Sequence, residues 1–246
     1  MARTFDGVDN ELRVTTAIVS AYPLTMALWA RPNIDADDAI LVIADTATDA
    51  EFWGLRLNTV ANGLVFMSRS SGETDGDVFA TGTYTVGAWL HACGTGASST
   101  SRACYRDGAN KGTNTTANTP DGLDNTSFGL LRRTATALIY DGDLCEGALW
   151  SADLTDGETL ALGNGVHPCV IRRSSLAGYW PIYGAASPEP DWSGSGNNLT
   201  VTGTTITASS RSMPMLRQAV GWRGAAELAV KLAYQPWYHR APVLAQ

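Results

Sequence analysis

The strongest constraint on the fold is a series of short β-type runs separated by turn-forming residues about every 8–12 positions. TMALWARP alternates apolar and other residues and ends at a proline, whereas AILVIAD is a continuous apolar run typical of a buried strand. FWGLRLN and GLVFMSRS flank Asn62-Gly63, a dipeptide that favours a hairpin turn. The sequence therefore predicts an all-β, two-sheet antiparallel sandwich of the jelly-roll type.

One helical signal interrupts this pattern. In DLTDGETLALG, Thr155 and Glu158 have the spacing of a capping box and precede a leucine-rich segment. Because Gly157 lowers helix propensity, we expect a single short turn.

Charge divides the chain into two parts. Residues 1–210 hold 12 basic and 23 acidic side chains, and residues 211–246 hold five basic and one acidic. We expect a jelly-roll domain over 1–210 and a basic arm over 211–246, with a short helix in GAAELAVKLAY. The arm either docks on another protein or folds back on the acidic body. A net charge of −7 argues against nucleic-acid binding.

The N-terminal residues and the cysteines bear on the compartment. MARTFDGVDN lacks the apolar core of a secretory signal, and no apolar run is long enough for a membrane span, so we expect synthesis in a host cytoplasm. Cys93 and Cys104 could face each other across a hairpin. Reduced thiols fit a cytosol better, however, and we expect all four cysteines to be free packing residues.

Five segments in compatible order carry a family resemblance: FDGVDNELRV, LTMALWARP, WLHACGTGASSTSRACYRDGANKGTNTT, YDGDLCEGALWSADLTDGETLAL and YWPIYG…DWSGSGNNLTVTGTT. Together, over about residues 4–207, they resemble the laminin-G-like, concanavalin A-like jelly-roll family, in the versions found in bacteriophage. The resemblance implies two antiparallel sheets packed face to face.

The order of the segments is unusual for that family. In many relatives the YW…DxSGNGN-like segment precedes FDG, whereas here it follows everything else. We expect a circular permutation in which the strand near Leu199–Ile206 lies beside the N-terminal strand near Leu12–Ile18. The alternative is a domain swap, in which that strand completes a neighbouring subunit.

Catalytic chemistry has one candidate. Asp141, Asp143 and Glu146 resemble the E-x-D-x-x-E pattern of sandwich glycosidases, which need two nearby carboxyl groups. The first residue is one methylene short, and without a β-bulge Glu146 points away from the other two. We therefore predict no catalytic site. The three histidines, including His167, have no evident partners in the sequence.

Related folds often hold a structural calcium ion, and oxygen ligands are available in three loops. The candidates are Asp6, Asp9, Asp35, Asp37, Asp38, Asp191 and Asn197. Asx turns and solvated loop charges are the alternative explanation.

Glycan binding requires exposed aromatic rings beside hydrogen-bonding groups. Trp192 in a Gly/Ser-rich loop, Tyr183 and Asn197 are the candidate ligand-binding residues, and Trp53 and Trp180 are further available aromatics. The alternative for Trp192 is that its ring packs on the edge of the sandwich. Trp29, Trp89 and Trp150 lie in segments with a core pattern, so we expect them to be buried.

The resemblance to phage proteins implies a non-enzymatic virion structural or accessory protein. It would be a decoration, fibre or appendage component, anchored to other virion proteins by the arm. Such proteins often form symmetric homo-oligomers. The alternatives are a carbohydrate-binding adhesin for host surface polysaccharide and a degenerate glycoside hydrolase.

Overall fold

The computed structural model describes residues 1–60, 63–184 and 186–207. The predicted basic arm with its helix, and Asn62 of the predicted hairpin turn, lie outside this range. The strands form two large antiparallel sheets, as the alternating pattern predicts. Among the described helices, none is long and apolar enough to cross a bilayer.

The first sheet has the order β10-β9-β8-β3-β14-β1-β17, and β15 also pairs with β14. Its strands are β1 (Ala2–Asp6), β3 (Leu24–Pro32), β8 (Leu90–Ser98), β9 (Ser101–Arg106), β10 (Ala109–Asn114), β14 (Asp141–Trp150), β15 (Leu176–Trp180) and β17 (Thr205–Thr207).

The second sheet has the order β16-β2-β11-β4-β5-β6-β7. Its strands are β2 (Glu11–Val14), β4 (Asp38–Ala44), β5 (Phe52–Asn58), β6 (Gly63–Arg69), β7 (Val78–Phe79), β11 (Asn125–Phe128) and β16 (Thr200–Thr202). A short hairpin, β12 (Leu131–Arg132) and β13 (Thr136–Ala137), stands apart from both sheets.

The main core lies between the two sheets, where their inner side chains interdigitate. Both sheets are also covered on part of their outer faces. Val42 and Ala44 of β4 pack with Leu131 of the hairpin, while Ile43 faces the main core. This double burial explains why every residue from Ala39 to Ala44 is apolar.

The outer face of the first sheet is covered by helix α1 (Asp156–Gly163) and by turns of 3-10 helix at Pro168–Val170 and Arg173–Ser175. The predicted capping box is confirmed, since Thr155 and Glu158 cap each other's backbone N–H groups. The helix has eight residues, so the expectation of a single turn was wrong. Gly157 sits within the first turn, where the cap offsets its low propensity.

The cysteines are free, and two of them lie on opposite faces of one hairpin. Cys93 of β8 packs in the outer cluster beneath α1, and Cys104 of β9 packs in the main core. The proposed contact between these two thiols across the hairpin is therefore wrong, because side chains alternate between faces along a strand.

The two ends of the domain lie together, as the segment order predicts. In the second sheet β16 pairs with β2, matching Val201 to Leu12, and in the first sheet β17 pairs with β1, matching Ile206 to Arg3. Both pairings form within one chain. Gly203, at φ +72°, joins β16 to β17, and a Cβ there would clash with the Asn10 side chain. The evolutionary permutation itself stays a prediction.

A buried ion pair stabilises the contact between the N-terminal strand and the end of the domain. The Arg3 Nε donates to Glu189 Oε2 at 3.0 Å, and the two side chains are 2% and 1% exposed. The other guanidinium nitrogens donate to Thr204 Oγ1 at 3.1 Å and to the Ala186 carbonyl at 2.8 Å. Arg3 thus links β1 to two separate segments near the end of the domain.

We expect Arg3→Ala to lower the free energy of unfolding by about 3–5 kcal/mol, because it leaves the buried Glu189 carboxylate without its cation. The matched control is Arg69→Ala, which removes an exposed bidentate pair with Asp75 and should cost about 1 kcal/mol or less. Urea denaturation of both variants measures the difference. An equal decrease in the free energy of unfolding for Arg3→Ala and Arg69→Ala would show that the buried pair stabilises the domain no more than an exposed pair does.

A second prediction concerns Asp38, which begins β4 and is buried beside Asp141 and Asp37. Burial, reinforced by repulsion from those two carboxylates, raises the pKa of Asp38 from 3.8 to about 6. A raised folded-state pKa means that ionised Asp38 opposes folding. The opposition is absent below pH about 4, grows through the window between the two pKa values, and is complete above pH about 6.

Asp38→Asn should therefore stabilise the domain at pH about 7, by up to roughly 3 kcal/mol, and leave it unchanged at pH about 3. Asp9→Asn, at an exposed position, is the control and should show no such trend. Thermal unfolding across this pH range measures both variants. An increase in the stability of Asp38→Asn that is the same at every pH would argue against a raised pKa of Asp38.

Candidate functional site

The site begins at a bulge in β14. Along one edge, β14 pairs with β1 up to Leu144 and with β15 from Gly147 onward. Between these partners its register with β3 shifts, and Glu146 adopts φ +57°, a left-handed conformation that non-glycine residues rarely take. The Glu146 N–H donates to the Pro181 carbonyl at 3.1 Å, which holds the bulge.

The bulge changes the direction in which the Glu146 side chain points, compared with the direction expected for a regular strand. A regular strand would turn this side chain into the core. Instead its carboxylate accepts a hydrogen bond from the hydroxyl of Tyr179, which packs in the outer cluster beneath the 3-10 turns. Glu146 therefore lies on the outer face, at the point where two neighbouring strands leave a gap.

A directed chain of hydrogen bonds leads to this carboxylate. The His167 Nδ1 accepts from the Cys169 N–H at 3.2 Å, so in the neutral ring the proton is on Nε2. The Nε2 lies 3.0 Å from the Tyr179 hydroxyl, which donates in turn to Glu146. Burial lowers the pKa of His167 and raises the pKa of Glu146. The chain thus runs from a neutral imidazole to a half-buried carboxylate.

Two aromatic residues lie close to this chain, and we call them the aromatic shelf: Trp192 and Tyr183. Their ring centroids are 5.9 Å apart at an interplanar angle of 80°. Trp192 is 50% exposed and Tyr183 is half-buried. The Cys169 Sγ lies 3.9 Å from the Trp192 carbonyl oxygen, which connects the shelf to the turn that carries His167.

The loop carrying Trp192 is held rigidly by Asp191. The Asp191 carboxylate accepts from the backbone N–H groups of Tyr179, Ser193 and Asn197 at 2.8–3.0 Å. The Trp192 N–H donates to the Tyr179 carbonyl at 2.7 Å. Asp191 is therefore an Asx-type loop anchor, and it fixes the backbone from which the indole projects.

The third predicted binding residue, Asn197, supports this loop. Its side-chain Nδ2 donates to the Ala177 carbonyl at 3.1 Å, and its own carbonyl accepts from the Trp180 indole N–H at 2.8 Å. The structure thus brings Trp192 and Tyr183 together and places Asn197 at the base of their loop.

The remaining tryptophans are unsuited to stacking on a ligand. Trp53 and Trp180, which the sequence analysis counted as available aromatic residues, are fully buried and cannot stack on a ligand. Trp29 and Trp150 are buried as expected. Trp89, predicted to be buried in a strand, instead precedes β8 and is half-buried, with the Arg31 guanidinium 5.4 Å from its ring.

The carboxylates of the glycosidase-like pattern are engaged by structural partners. The Asp143 Oδ1 accepts from the Thr4 hydroxyl at 2.6 Å, and its Oδ2 accepts from Arg31 Nε at 2.7 Å. The Asp141 Oδ1 accepts from Asn33 Nδ2 at 2.8 Å. Both oxygens of Asp143 therefore accept hydrogen bonds from side chains of neighbouring strands.

The candidate calcium ligands are also engaged. Asp35 accepts from the Tyr84 hydroxyl, Asp37 from the Thr59 N–H and Asp6 from the Val8 N–H. Within residues 1–60, 63–184 and 186–207, no three His, Cys, Asp or Glu side chains are arranged to hold a metal.

Sequence reasoning missed His167, Tyr179 and Glu146 as a group. They lie 12 and 33 positions apart, and only the pairing of β14 with β15 brings them into contact. The one local signal was Tyr179 itself, an aromatic residue in a strand next to the loop that carries Trp192.

Solved structures share this architecture at low sequence identity. A putative carbohydrate binding protein from Bacteroides ovatus matches at TM-score 0.59 and 15% identity, covering 85% of this chain and 60% of that one. Domain 4 of AbnA, a GH43 extracellular arabinanase from Geobacillus stearothermophilus in complex with arabinotriose, matches at 0.54 and 18%, covering 66% and 76%. The Ruminococcus gnavus IT-sialidase CBM40 matches at 0.56 and 12%, covering 66% and 98%.

The sequence itself carries the family assignment. No curated protein sequence matches the chain. A laminin G-like family profile, described as the concanavalin A-like lectin/glucanases superfamily, matches residues 6–159. This match spans more than half of the chain and agrees with the two-sheet architecture, so the chain belongs to the laminin G-like family of the concanavalin A-like lectin/glucanases superfamily.

Proposed function

We propose that this domain binds carbohydrate and that the aromatic shelf is its binding surface. The observation that carries the proposal is a half-exposed indole that lies edge-to-face beside a second aromatic ring. A flat aromatic surface suits the apolar face of a sugar ring, and nearby polar groups suit its hydroxyls. The shelf offers both, since the Glu146 carboxylate lies within electrostatic reach of Tyr183.

The rigidity of the shelf supports this function. Weak ligands such as sugars bind best to surfaces that are already in the binding conformation, because ordering a loop costs free energy. The hydrogen bonds of Asp191 fix the loop of Trp192, and those of Glu189 to the Tyr183 and Gly184 N–H groups fix the neighbouring turn.

The similar structures support the same function without proving it for this chain. Two of the three are named as carbohydrate-binding proteins or modules, and the third is a domain in complex with arabinotriose. We infer binding rather than hydrolysis, because Asp143, the central carboxylate of the glycosidase-like pattern, is committed to Arg31 and Thr4.

Trp192→Ala should weaken glycan binding at least about tenfold, or 1.4 kcal/mol, because it removes the stacking surface. The matched control is Phe79→Ala, an aromatic residue that is equally exposed, at 51%, but lies in β7 of the other sheet. A glycan array, followed by affinity electrophoresis with the best polysaccharide, measures both. Equal binding by the two variants would refute the shelf as the binding surface.

A virion structural role is the second candidate, and it rests on the resemblance to phage proteins and on the opposite charges of body and arm. In this role the jelly roll would be displayed on the particle, in a symmetric oligomer, with residues 211–246 as the anchor. The role is compatible with glycan binding, since a displayed module can recognise a cell surface.

If this role is correct, mass spectrometry should find the protein in purified virions, and deletion of residues 211–246 should release it from them. Full-length Trp192→Ala is the control and should stay on the particle. Absence of the wild-type protein from virions would refute the role, and retention of the truncated protein would refute the arm as anchor.

A further inference from the structure

A cavity on the outer face of the second sheet is lined by an arginine that forms no ion pair within the described part of the chain. The cavity lies over β2 and β16, the two strands at one edge of that sheet. Its volume is about 320 Å³, at the lower end of the range of small-ligand sites. The aromatic shelf belongs to the other sheet, beside β14 and β15.

The strand register explains why the lining side chains share one surface. Leu12 of β2 packs in the main core, so Glu11 and Arg13 on either side of it point to the outer face. In the pairing of β16 with β2, Thr200 lies opposite Arg13 and Thr202 lies opposite Glu11. Because paired residues share a face of the sheet, both threonine side chains also point to the cavity side.

The Arg13 side chain lacks a partner. Its Nε is buried without a hydrogen bond, and among residues 1–60, 63–184 and 186–207 it forms no ion pair. Arg56, Arg106 and Arg133 also have a buried Nε without a hydrogen bond, but each lies within ion-pair distance of an aspartate. Arg102 has no ion pair either, but it donates to three backbone carbonyl oxygens.

Glu11, the carboxylate that lines the cavity, is bound by another arginine. Its two oxygens accept from Nε and Nη2 of Arg132, each at 2.9 Å. This bidentate pair neutralises Glu11, which is 8% exposed. The charge of Arg13 therefore stays uncompensated, although acidic side chains outnumber basic ones over residues 1–210.

The other polar groups at the cavity are able to donate hydrogen bonds. Thr15, Thr200 and Thr202 contribute exposed hydroxyl groups. The Asn198 Oδ1 accepts from the Asp191 N–H at 2.9 Å, which leaves the Asn198 Nδ2 group to donate. One unpaired cation among such donors favours an anionic ligand.

The single cation also sets the charge of the ligand. A monoanion would neutralise Arg13, whereas the second charge of a dianion would have no partner and would be repelled by the nearby Glu11. A guanidinium matches the geometry of a carboxylate, as the pair between Arg132 and Glu11 on the same face illustrates.

We propose that this cavity binds a carboxylate group, with Arg13 as its ion-pair partner and with Thr200 and Asn198 as hydrogen-bond donors. Binding would also satisfy the buried Nε of Arg13, which costs free energy when it is unpaired. The carboxylate has two sources, a free organic acid and the C-terminus of a peptide. This proposal goes beyond carbohydrate binding and does not depend on the aromatic shelf.

The experiment follows the side-chain Nε–Hε signal of Arg13 in NMR spectra of the isotopically labelled full chain, at low ionic strength. The probes are butyrate, as a free acid, and acetyl-Gly-Gly, as a peptide C-terminus, both at millimolar concentration. The matched control is acetyl-Gly-Gly-amide, which has the same shape and no charge. We expect the carboxylates to shift the Arg13 signal and the amide to leave it unchanged, and the tighter carboxylate identifies the source.

Variants of the full chain assign the binding to the cavity, with the backbone amide of Thr202 as the signal that is followed. Arg13→Gln should weaken carboxylate binding at least about tenfold, because it removes the cation. Thr200→Val removes only an exposed hydroxyl and should weaken binding severalfold in a domain that stays folded. The control is Arg69→Gln, which removes an exposed, paired arginine from β6 and should leave binding unchanged.

Four outcomes would overturn the proposal. They are an Arg13 signal that neither carboxylate shifts, equal binding of the amide, tighter binding of inorganic phosphate than of both carboxylates, and equal effects of Arg13→Gln and Arg69→Gln. None of these outcomes bears on glycan binding at Trp192, so the two proposals stand or fall separately.

Discussion

The buried ion pair between Arg3 and Glu189 is the interaction on which both the closure of the sandwich and the candidate site depend. Arg3 lies in the first strand, and Glu189 lies in the loop between β15 and β16. The Glu189 carboxylate also accepts the N–H groups of Tyr183 and Gly184, and its backbone pairs with Leu199. One carboxylate thus fixes the returning chain and orders the turn that carries half of the aromatic shelf.

A local irregularity, rather than a regular element, creates the place where the site can form. Where β14 changes its partner from β1 to β15, two residues are unpaired on that edge and the strand bulges. The strained backbone of Glu146 is maintained by the surrounding hydrogen bonds of Pro181 and Tyr179. As a result, the Glu146 carboxylate lies on the outer face of the sheet, where a regular strand would not place it, and it interacts electrostatically with Tyr183 of the shelf. The aromatic shelf lies beside this bulge, and Trp192 projects there from a loop that the hydrogen bonds of Asp191 hold in place.

The sequence by itself determined the elements that rest on local chemistry. Alternating apolar residues gave the strands, the Thr155–Glu158 pair gave the helix start, and the family motifs gave the two-sheet architecture. The late strand beside Leu12 was also predictable, because the order of family segments implied where it must pair. The glycines and serines around Trp192 made it the best candidate for an exposed aromatic ring, but the structure was needed to decide between exposure and packing on the sandwich edge.

Only the tertiary structure decided which side chains meet. The hydrogen-bond chain from His167 through Tyr179 to Glu146 depends on a bulge and on the pairing of distant strands. The register of β8, β9 and β10 likewise decides that Ala103 pairs with Thr95 on one side and Thr113 on the other. A one-residue shift in register would reverse the face of every side chain in these strands, and that register is set by packing across the whole sandwich rather than by any local pattern.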